Sequence, residues 1–410
     1  MPLSFEEKLL RELANFKNTV ILAAFSGGKD SLSLLDFINK TKNDFNIRLF
    51  ACHINHGLRI NAEKDEAFCR DFCSENNIPL FIERANGAII SGGDVCGIEA
   101  AARKYRYEIL ADTALKNKCD FIFTAHTRSD NVESFFVDLY TGSSLFTMGG
   151  IRRVSGNIVR PMLNITSEEV ERYVFDKGLK PVYDDSNDDD RFVRNRLRHK
   201  LIPVLYECGG AFEKSVIRLQ EESVKLKDYF DKRTRSAVIG SGLAAVLDRK
   251  IFSGFDDIEK EYLLGKIFAP RFRFSKRNLH DVLSFLDDGF SKRLDLPNGY
   301  MIEQSFGRIR VFERNAVDLF CIEKASGIDR IYMDGAEIVF NDEYAARDLI
   351  IRNRRGGDRF NGKKLKDLFI EKKVDLFDRD RAVIIEAGGN IIWVEYISRG
   401  GFVSVKRQND

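Results

Sequence analysis

Two polar clusters in this chain have the residue types and spacing for chemistry. The first is Ser26-Gly27-Gly28-Lys29-Asp30-Ser31, set between the apolar run Val20-Ile21-Leu22-Ala23-Ala24-Phe25 and a stretch with Leu32, Leu34, Leu35, Phe37 and Ile38 at helical spacing. A buried strand that turns through glycines into a helix aims backbone N–H groups at the helix N-terminus, where the partial charge is positive. An oxyanion placed there is solvated by the main chain. Gly27 and Gly28 let the backbone approach it closely. The longer Gly-x-x-x-x-Gly-Lys-Ser/Thr spacing that cradles β and γ phosphates with Mg²⁺ is not present. The second cluster is His126-Thr127-Arg128-Ser129-Asp130-Asn131-Val132-Glu133. Asp130 and Glu133 lie three apart on one helical face, so they either present two carboxylates to a metal-bound nucleotide or favour the helix N-terminus electrostatically.

The elements that must position these groups alternate. After the glycine loop and its helix come a strand from Ile47 to Ile54, a helix from Asn61 to Asn76, a strand from Pro79 to Glu83, a helix from Gly97 to Asn117 and a strand from Asp120 to Ala125. Alternation of this kind predicts a parallel sheet covered by helices on both faces, with ligands beyond the carboxyl ends of the strands. At one such end, Asn55-His56-Gly57-Leu58-Arg59 places His56 at the ligand edge, either as a site residue or as a loop histidine satisfied by the backbone. On the helix from Gly97, Glu99–Arg103 and Lys104–Glu108 pairs account for four charges and leave Arg106 over.

The 410 residues exceed one compact core and divide into 1–205, 206–325 and 326–410. With 44% hydrophobic and 31% charged residues the chain is globular, and its net charge of +2 says little about partners. Seven cysteines without a C-x-x-C pair argue against a disulfide framework and a zinc ribbon. The N-terminal residues lack a leader pattern and no run is long enough to span a membrane, so a cytoplasmic location is expected. Nothing in charge or periodicity decides between a monomer and a homodimer.

Further along, Arg191, Arg194, Arg196, Arg198, His199 and Lys200 form a basic cluster interleaved with Phe192, Val193 and Leu197, a pattern suited to RNA contact. Ala211 to Arg235 reads as one long amphipathic helix, and Arg293–Glu303 as a strand pair around Asn298-Gly299. In the tail, Arg354 and Arg355 precede Gly356-Gly357, and Lys363 and Lys364 follow, so guanidinium, ammonium and amide groups could all meet phosphate.

The Ser26–Ser31 hexapeptide resembles the loop of the PP-loop ATP pyrophosphatases. Together with Asn55–Arg59, Glu99–Tyr107, Ala125–Asp130, Asp184-Asp185-Ser186-Asn187 and the Arg191–Pro203 block, it is similar to the ordered motifs of the tRNA(Ile)-lysidine synthetases. One departure is Ser129, which stands where the family often has the first of two aspartates and leaves Asp130 as the acid. The resemblance implies an α/β chain: a Rossmann-like parallel-sheet N-type ATP pyrophosphatase domain, a mostly helical α+β domain and a small C-terminal α+β domain, the last two binding tRNA. It implies ATP and Mg²⁺ as cofactors, and L-lysine and a CAU-anticodon tRNA(Ile) as partners. Asp30, Arg106, His126 and Asp130 would be catalytic, with Asp30 and Asp130 on the metal. Ser26, Gly27, Gly28, Lys29, Asp30, Ser31 and His56 would hold the nucleotide. Glu133, Arg191, Arg194, Arg196, Arg198, Arg354, Arg355, Lys363 and Lys364 would meet lysine or tRNA. A tRNA thiolase and a non-catalytic RNA-binding protein are the rival readings, and the missing C-x-x-C pair counts against the first.

Overall fold

The computed structural model describes residues 3–55, 62–84, 95–182, 190–209, 211–240, 244–269, 271, 276–287, 291–316, 320–333, 336–398 and 403–407, with the backbone alone for 95–102, 276 and 333. His56, Arg59 and Asp184–Asn187 lie outside these residues, as does the side chain of Glu99. The chain forms two compact units, 1–227 and 228–410.

The first unit is built on a six-stranded sheet in the order β3-β2-β1-β4-β6-β5. Its strands are β1 (Val20–Ala24), β2 (Arg48–Asn55), β3 (Leu80–Arg84), β4 (Phe121–Phe123), β5 (Val154–Ser155) and β6 (Ile158–Val159). β1 pairs in parallel with both β2 and β4, and β6 in parallel with β4; only β5 runs antiparallel. Successive residues of β1 point to opposite faces and each face is buried. Ile21 and Ala23 join a core with α1 (Phe5–Leu13), α2 (Lys29–Thr41), α3 (Ala62–Glu75) and, later in the chain, α6 (Ser167–Asp176). Leu22, with Cys52 and Ile122, packs against Leu110 and Ala114 of α4 (Val95–Lys116). The helix after β4 is α5 (Arg128–Tyr140). Phe5 stacks on Tyr173 at 4.3 Å, and the Tyr173 hydroxyl donates to the buried Asp36 carboxylate at 2.7 Å, which ties α1, α2 and α6 together.

The basic block folds as α7 (Val193–Arg196), a π-helical turn over Leu197–Leu201, and α8 (Ile202–Glu207). Pro203 explains the wide turn. It has no N–H to give and its ring crowds the carbonyl four residues back, so the ladder slips and the Ile202 N–H reaches five residues back to the Leu197 carbonyl. α9 (Ala211–Thr234) follows as expected.

In the second unit, β7 (Val238–Gly240), β8 (Ala244–Asp248), β9 (Lys292–Asp295), β10 (Tyr300–Ser305) and β11 (Arg308–Glu313) form an antiparallel sheet in the order β7-β8-β11-β10-β9. The β9–β10 connection carries Asn298 at φ +57° and Gly299 at φ +76°, the left-handed pair expected of an Asn-Gly turn. The helices Asp257–Phe268 and Lys276–Asp287 supply apolar residues to its core. Beyond it lie β12 (Cys321–Lys324), β13 (Arg330–Met333), β14 (Ala336–Phe340), β15 (Leu349–Arg352), the hairpin β16 (Arg359–Phe360) and β17 (Lys363–Lys364), then β18 (Ile384–Ala387), β19 (Asn390–Val394) and β20 (Val403–Arg407). They make sheets β12-β15-β18-β19 and β13-β14-β20. Ion pairs lock the tail onto the antiparallel sheet: Arg310 holds Asp375 at 3.0 Å and Asp378 at 2.8 Å, and Arg293 holds Asp380 at 2.5 Å.

Candidate active site at the carboxyl edge of the parallel sheet

The glycine loop sits where the parallel sheet puts ligands. Gly27 is doubly required: its φ is +83°, and an added Cβ would lie 3.1 Å from the Phe68 ring, 3.3 Å from Val182 and 3.4 Å from Cys69. Gly28 is the N-cap of α2 and offers no side chain, so no side-chain oxygen of the cap takes the N–H groups of the first turn. Ser31 braces the loop. Its hydroxyl accepts from the Ser26 N–H at 3.2 Å, donates to the Gly28 carbonyl at 3.1 Å and meets the Ser26 hydroxyl at 3.0 Å. Lys29 points outward to Glu171 at 2.5 Å.

His53, on β2, supports the loop from behind. Its Nδ1 lies 2.9 Å from the Phe25 carbonyl, and the histidine is buried. Because the peptide is planar and trans, holding the Phe25 carbonyl also sets the direction of the Ser26 N–H on the other side. Sequence reasoning missed this residue. Inside an apolar strand run, a histidine gives no sign of which carbonyl it will meet.

Asp30 lies in the first turn of α2 with its Oδ1 buried and without a hydrogen-bond partner. Burial, and then the charge of Asp130, push its carboxyl up to about 6, against the pull of Lys29 and Arg198. A buried carboxylate oxygen with nothing to bond suits a hard divalent cation, whose preferred ligand is carboxylate oxygen.

Of the two roles their spacing allowed, the structure shows the one at the helix N-terminus for Asp130, and it adds arginine partners for both acids. Asp130 caps α5 by accepting at Oδ2 from the Thr127 N–H at 2.7 Å and hydroxyl at 3.0 Å, while Oδ1 accepts from Arg194 at 2.8 Å. Glu133, only 3% exposed, accepts from Arg194 Nε at 2.7 Å and from Arg198 Nε at 2.5 Å and Nη2 at 2.8 Å. Burial alone would raise the Asp130 carboxyl, but Arg194 and the Thr127 N–H hold it below the usual range. Ser129 bonds the Ser167 hydroxyl at 3.0 Å and takes no part in this knot.

The basic block is thereby divided. Arg194 and Arg198, four apart, turn inward onto the acid pair. Arg191, Arg196, His199 and Lys200 are exposed, the last two holding Asp190 at 3.0 and 2.8 Å. His126 bonds the Thr124 hydroxyl at 3.0 Å through Nδ1. Burial pushes its imidazole down to about 4, helped by Arg160, Arg103 and Arg194 and opposed by Asp130, so the ring is neutral at physiological pH. Arg106 is exposed on α4 and is not without a partner, contrary to the count of charges along that helix. The Lys104–Glu108 pair forms at 3.8 Å.

In the second unit, Arg354 gives two bonds to Asp380, at 3.0 and 2.7 Å. Arg355 is exposed, as are Lys363 and Lys364 on the β16–β17 hairpin. Among the described residues no group of three or more histidine, cysteine, aspartate or glutamate side chains forms a ready metal site, and no helix is long and apolar enough to cross a membrane.

The PP-loop domain family model matches residues 1–205, and the model described as the TilS substrate C-terminal domain matches 349–405. The chain is 28% identical over 424 residues to a tRNA(Ile)-lysidine synthase from Pseudothermotoga lettingae, covering 97% of this chain and 92% of the relative. It is 26% identical over 443 residues to that of Caldanaerobacter subterraneus subsp. tengcongensis, covering 96% and 94%. A solved structure of the U34-tRNA thiolase NcsA from Methanococcus maripaludis aligns with a TM-score of 0.46 at 19% identity, over 54% of this chain and 78% of that one. A glycine loop with a lone buried acid, an acid pair one strand away and matches that run through both units place this chain in the PP-loop family, among the tRNA(Ile)-lysidine synthases.

Proposed function

We infer that this chain joins lysine to C2 of the wobble cytidine in a CAU-anticodon tRNA(Ile), consuming ATP. In the first step the cytidine O2 attacks the α-phosphorus of ATP, an O–P bond forms, and the bond to the β-phosphate oxygen breaks with loss of pyrophosphate. In the second, the lysine ε-amine attacks C2, AMP leaves with the oxygen, and the amine sheds a proton. The observation that carries this reading is the buried, unpartnered Oδ1 of Asp30 beside a glycine loop whose helix cap has no side chain.

The leaving pyrophosphate gathers charge as it departs, and the loop of Ser26, Gly27, Gly28 and Ser31 meets that charge at the N-terminus of α2. Lys29 exchanges Glu171 for phosphate, and His56, which lies outside the described residues, is proposed to serve the nucleotide. Mg²⁺ fits at Asp30, where bound metal would neutralise phosphate charge; Asp130 joins it only on giving up Arg194. Glu133 and Asp130 receive the lysine ammonium, and Arg106 and His126 line the reacting base. The neutral His126 suits a hydrogen-bonding role, because a ring with so low an affinity for protons is a poor match for an amine with a reference pKa near 10.4.

Labelled lysine should enter unmodified isoleucine tRNA and not the methionine tRNA that shares its anticodon, with pyrophosphate released only when ATP and tRNA are both present. Product formed without free lysine would mean a thiolase, and no pyrophosphate would mean a dead nucleotide site.

Arg191, Arg196, Arg355, Lys363 and Lys364 are proposed to meet tRNA phosphates. Replacing Lys363 and Lys364 together by glutamine should weaken tRNA binding and lower the slope of log K against log salt by up to about 2. Replacing Arg354 should do less, since Asp380 already neutralises it. An unchanged slope for the lysine pair would remove the hairpin from the RNA surface.

A further inference from the structure

Arg160 follows β6 at the carboxyl edge of the sheet, one strand beyond the one that ends near His126 and two beyond the glycine loop. Its side chain is 6% exposed. Nη1 donates to the Arg152 carbonyl at 2.8 Å and Nη2 to the Tyr107 hydroxyl at 3.2 Å, and the guanidinium lies 6.0 Å from the Tyr107 ring centroid. Nε is buried with no partner, and no carboxylate pairs with this arginine among the described residues. Both acceptors it has are neutral. A buried cation is costly unless an anion meets it, and structures retain such a group where something else supplies the charge. The other inward-facing arginines of this unit have their carboxylates: Arg194 has Asp130 and Glu133, and Arg198 has Glu133.

We propose that Arg160 is the docking point for the α-carboxylate of the lysine substrate. The proposal rests on the reading of this chain as a lysine ligase. Along the sheet edge the order is phosphate loop on β1, acid pair after β4, Arg160 after β6. Neighbouring strands lie about 4.8 Å apart. An extended lysine separates its ε-nitrogen from its carboxylate by roughly 7 Å of single bonds. An ammonium at Glu133 and Asp130 therefore sends the carboxylate toward the next strand, where the unpaired guanidinium stands, and turns the ε-nitrogen toward the reacting base. RNA phosphates do not fit the same place, because they are met by exposed cations and this one is enclosed. A carboxylate matches the paired Nε and Nη2 geometry that arginine favours.

The test uses cadaverine, which is lysine without its carboxylate, as a second amine substrate. Wild-type enzyme should prefer lysine over cadaverine in kcat/KM by about 10²-fold, the usual discrimination of a site built to bond a charged group. Arg160→Met should collapse that preference to within a few fold, through a raised KM for lysine and little change for cadaverine. Arg160→Lys, which keeps a charge and is the variant to use if the first does not fold, should raise the lysine KM by about tenfold and again spare cadaverine. Equal loss toward both amines would overturn the proposal and leave Arg160 a structural residue. So would a matching loss of tRNA- and ATP-dependent pyrophosphate release, which would assign the guanidinium to a phosphate. Failure of the wild-type enzyme to release pyrophosphate or use lysine is a different result and would sink the ligase reading itself.

Discussion

Replacing Asp30 by asparagine should stop tRNA adenylation, with pyrophosphate release down by at least about 10³-fold, and should also make the protein harder to melt. The two effects share a cause. The Asp30 carboxyl is pushed up to about 6 from 3.8 because burial and Asp130 oppose its ionised form, so the fold holds the proton more tightly than the unfolded chain does. At about 1.4 kcal/mol per pH unit, ionised Asp30 costs roughly 3 kcal/mol at neutral pH as an upper bound. Below pH 4 both states are protonated and there is no cost. The cost grows between pH 4 and 6 as the unfolded chain gives up the proton first, and it is complete above pH 6. Asparagine does not titrate, so in metal-free buffer the variant should melt several degrees above wild type at pH 7.5 and level with it near pH 4. Added Mg²⁺ and ATP should raise the wild-type melting temperature and leave the variant where it was. Normal pyrophosphate release by Asp30→Asn would take this residue out of the mechanism, and a variant no more stable than wild type would mean that the lone oxygen is not under strain.

Glu133→Gln should have the opposite effect on stability. Glu133 takes three bonds from Arg194 and Arg198 in a buried setting, and a neutral amide would leave the Arg198 charge unmatched while Arg194 kept only Asp130. Breaking a pair of this kind costs about 3 kcal/mol, or roughly 6–12 °C for a unit of this size. Lysine transfer should fall by about 10²-fold or more, beyond any change in pyrophosphate release, because the carboxylate lost is the one proposed to receive the ammonium. Thermal melts together with the two half-reaction assays decide it. A variant that melts with wild type would show that the arginines do not depend on Glu133, and equal loss in both half-reactions would separate it from lysine.

What could be read in the chain beforehand was local. The turn at Gly27 and Gly28, the strand before it and the helix after it follow from a dozen neighbouring residues, and so does the pairing of Asp130 with Glu133 on one face of α5. The occupants of those carboxylates could not be read, because Arg194 and Arg198 come some sixty residues later and their basic block looks like an RNA surface until α7 is seen packed on α5. Lys29 and Glu171 are joined only by the folded unit. Arg160 follows a two-residue strand and precedes a proline, so it reads as an ordinary boundary; its enclosure appears only with Tyr107 and Arg152 around it.

The slipped ladder before Pro203 has a bearing on how this enzyme can change. A π turn holds one residue more than an α turn, so the extra residue is taken up locally and the helix on either side keeps its aim. In unbroken α-helix, one added residue would turn everything beyond it by about 100°. Arg194, ahead of the turn, and Arg198, within it, are both anchored on Glu133. The wide turn is thus where the chain carries a spare residue without pulling either guanidinium off the acid pair or re-aiming α8.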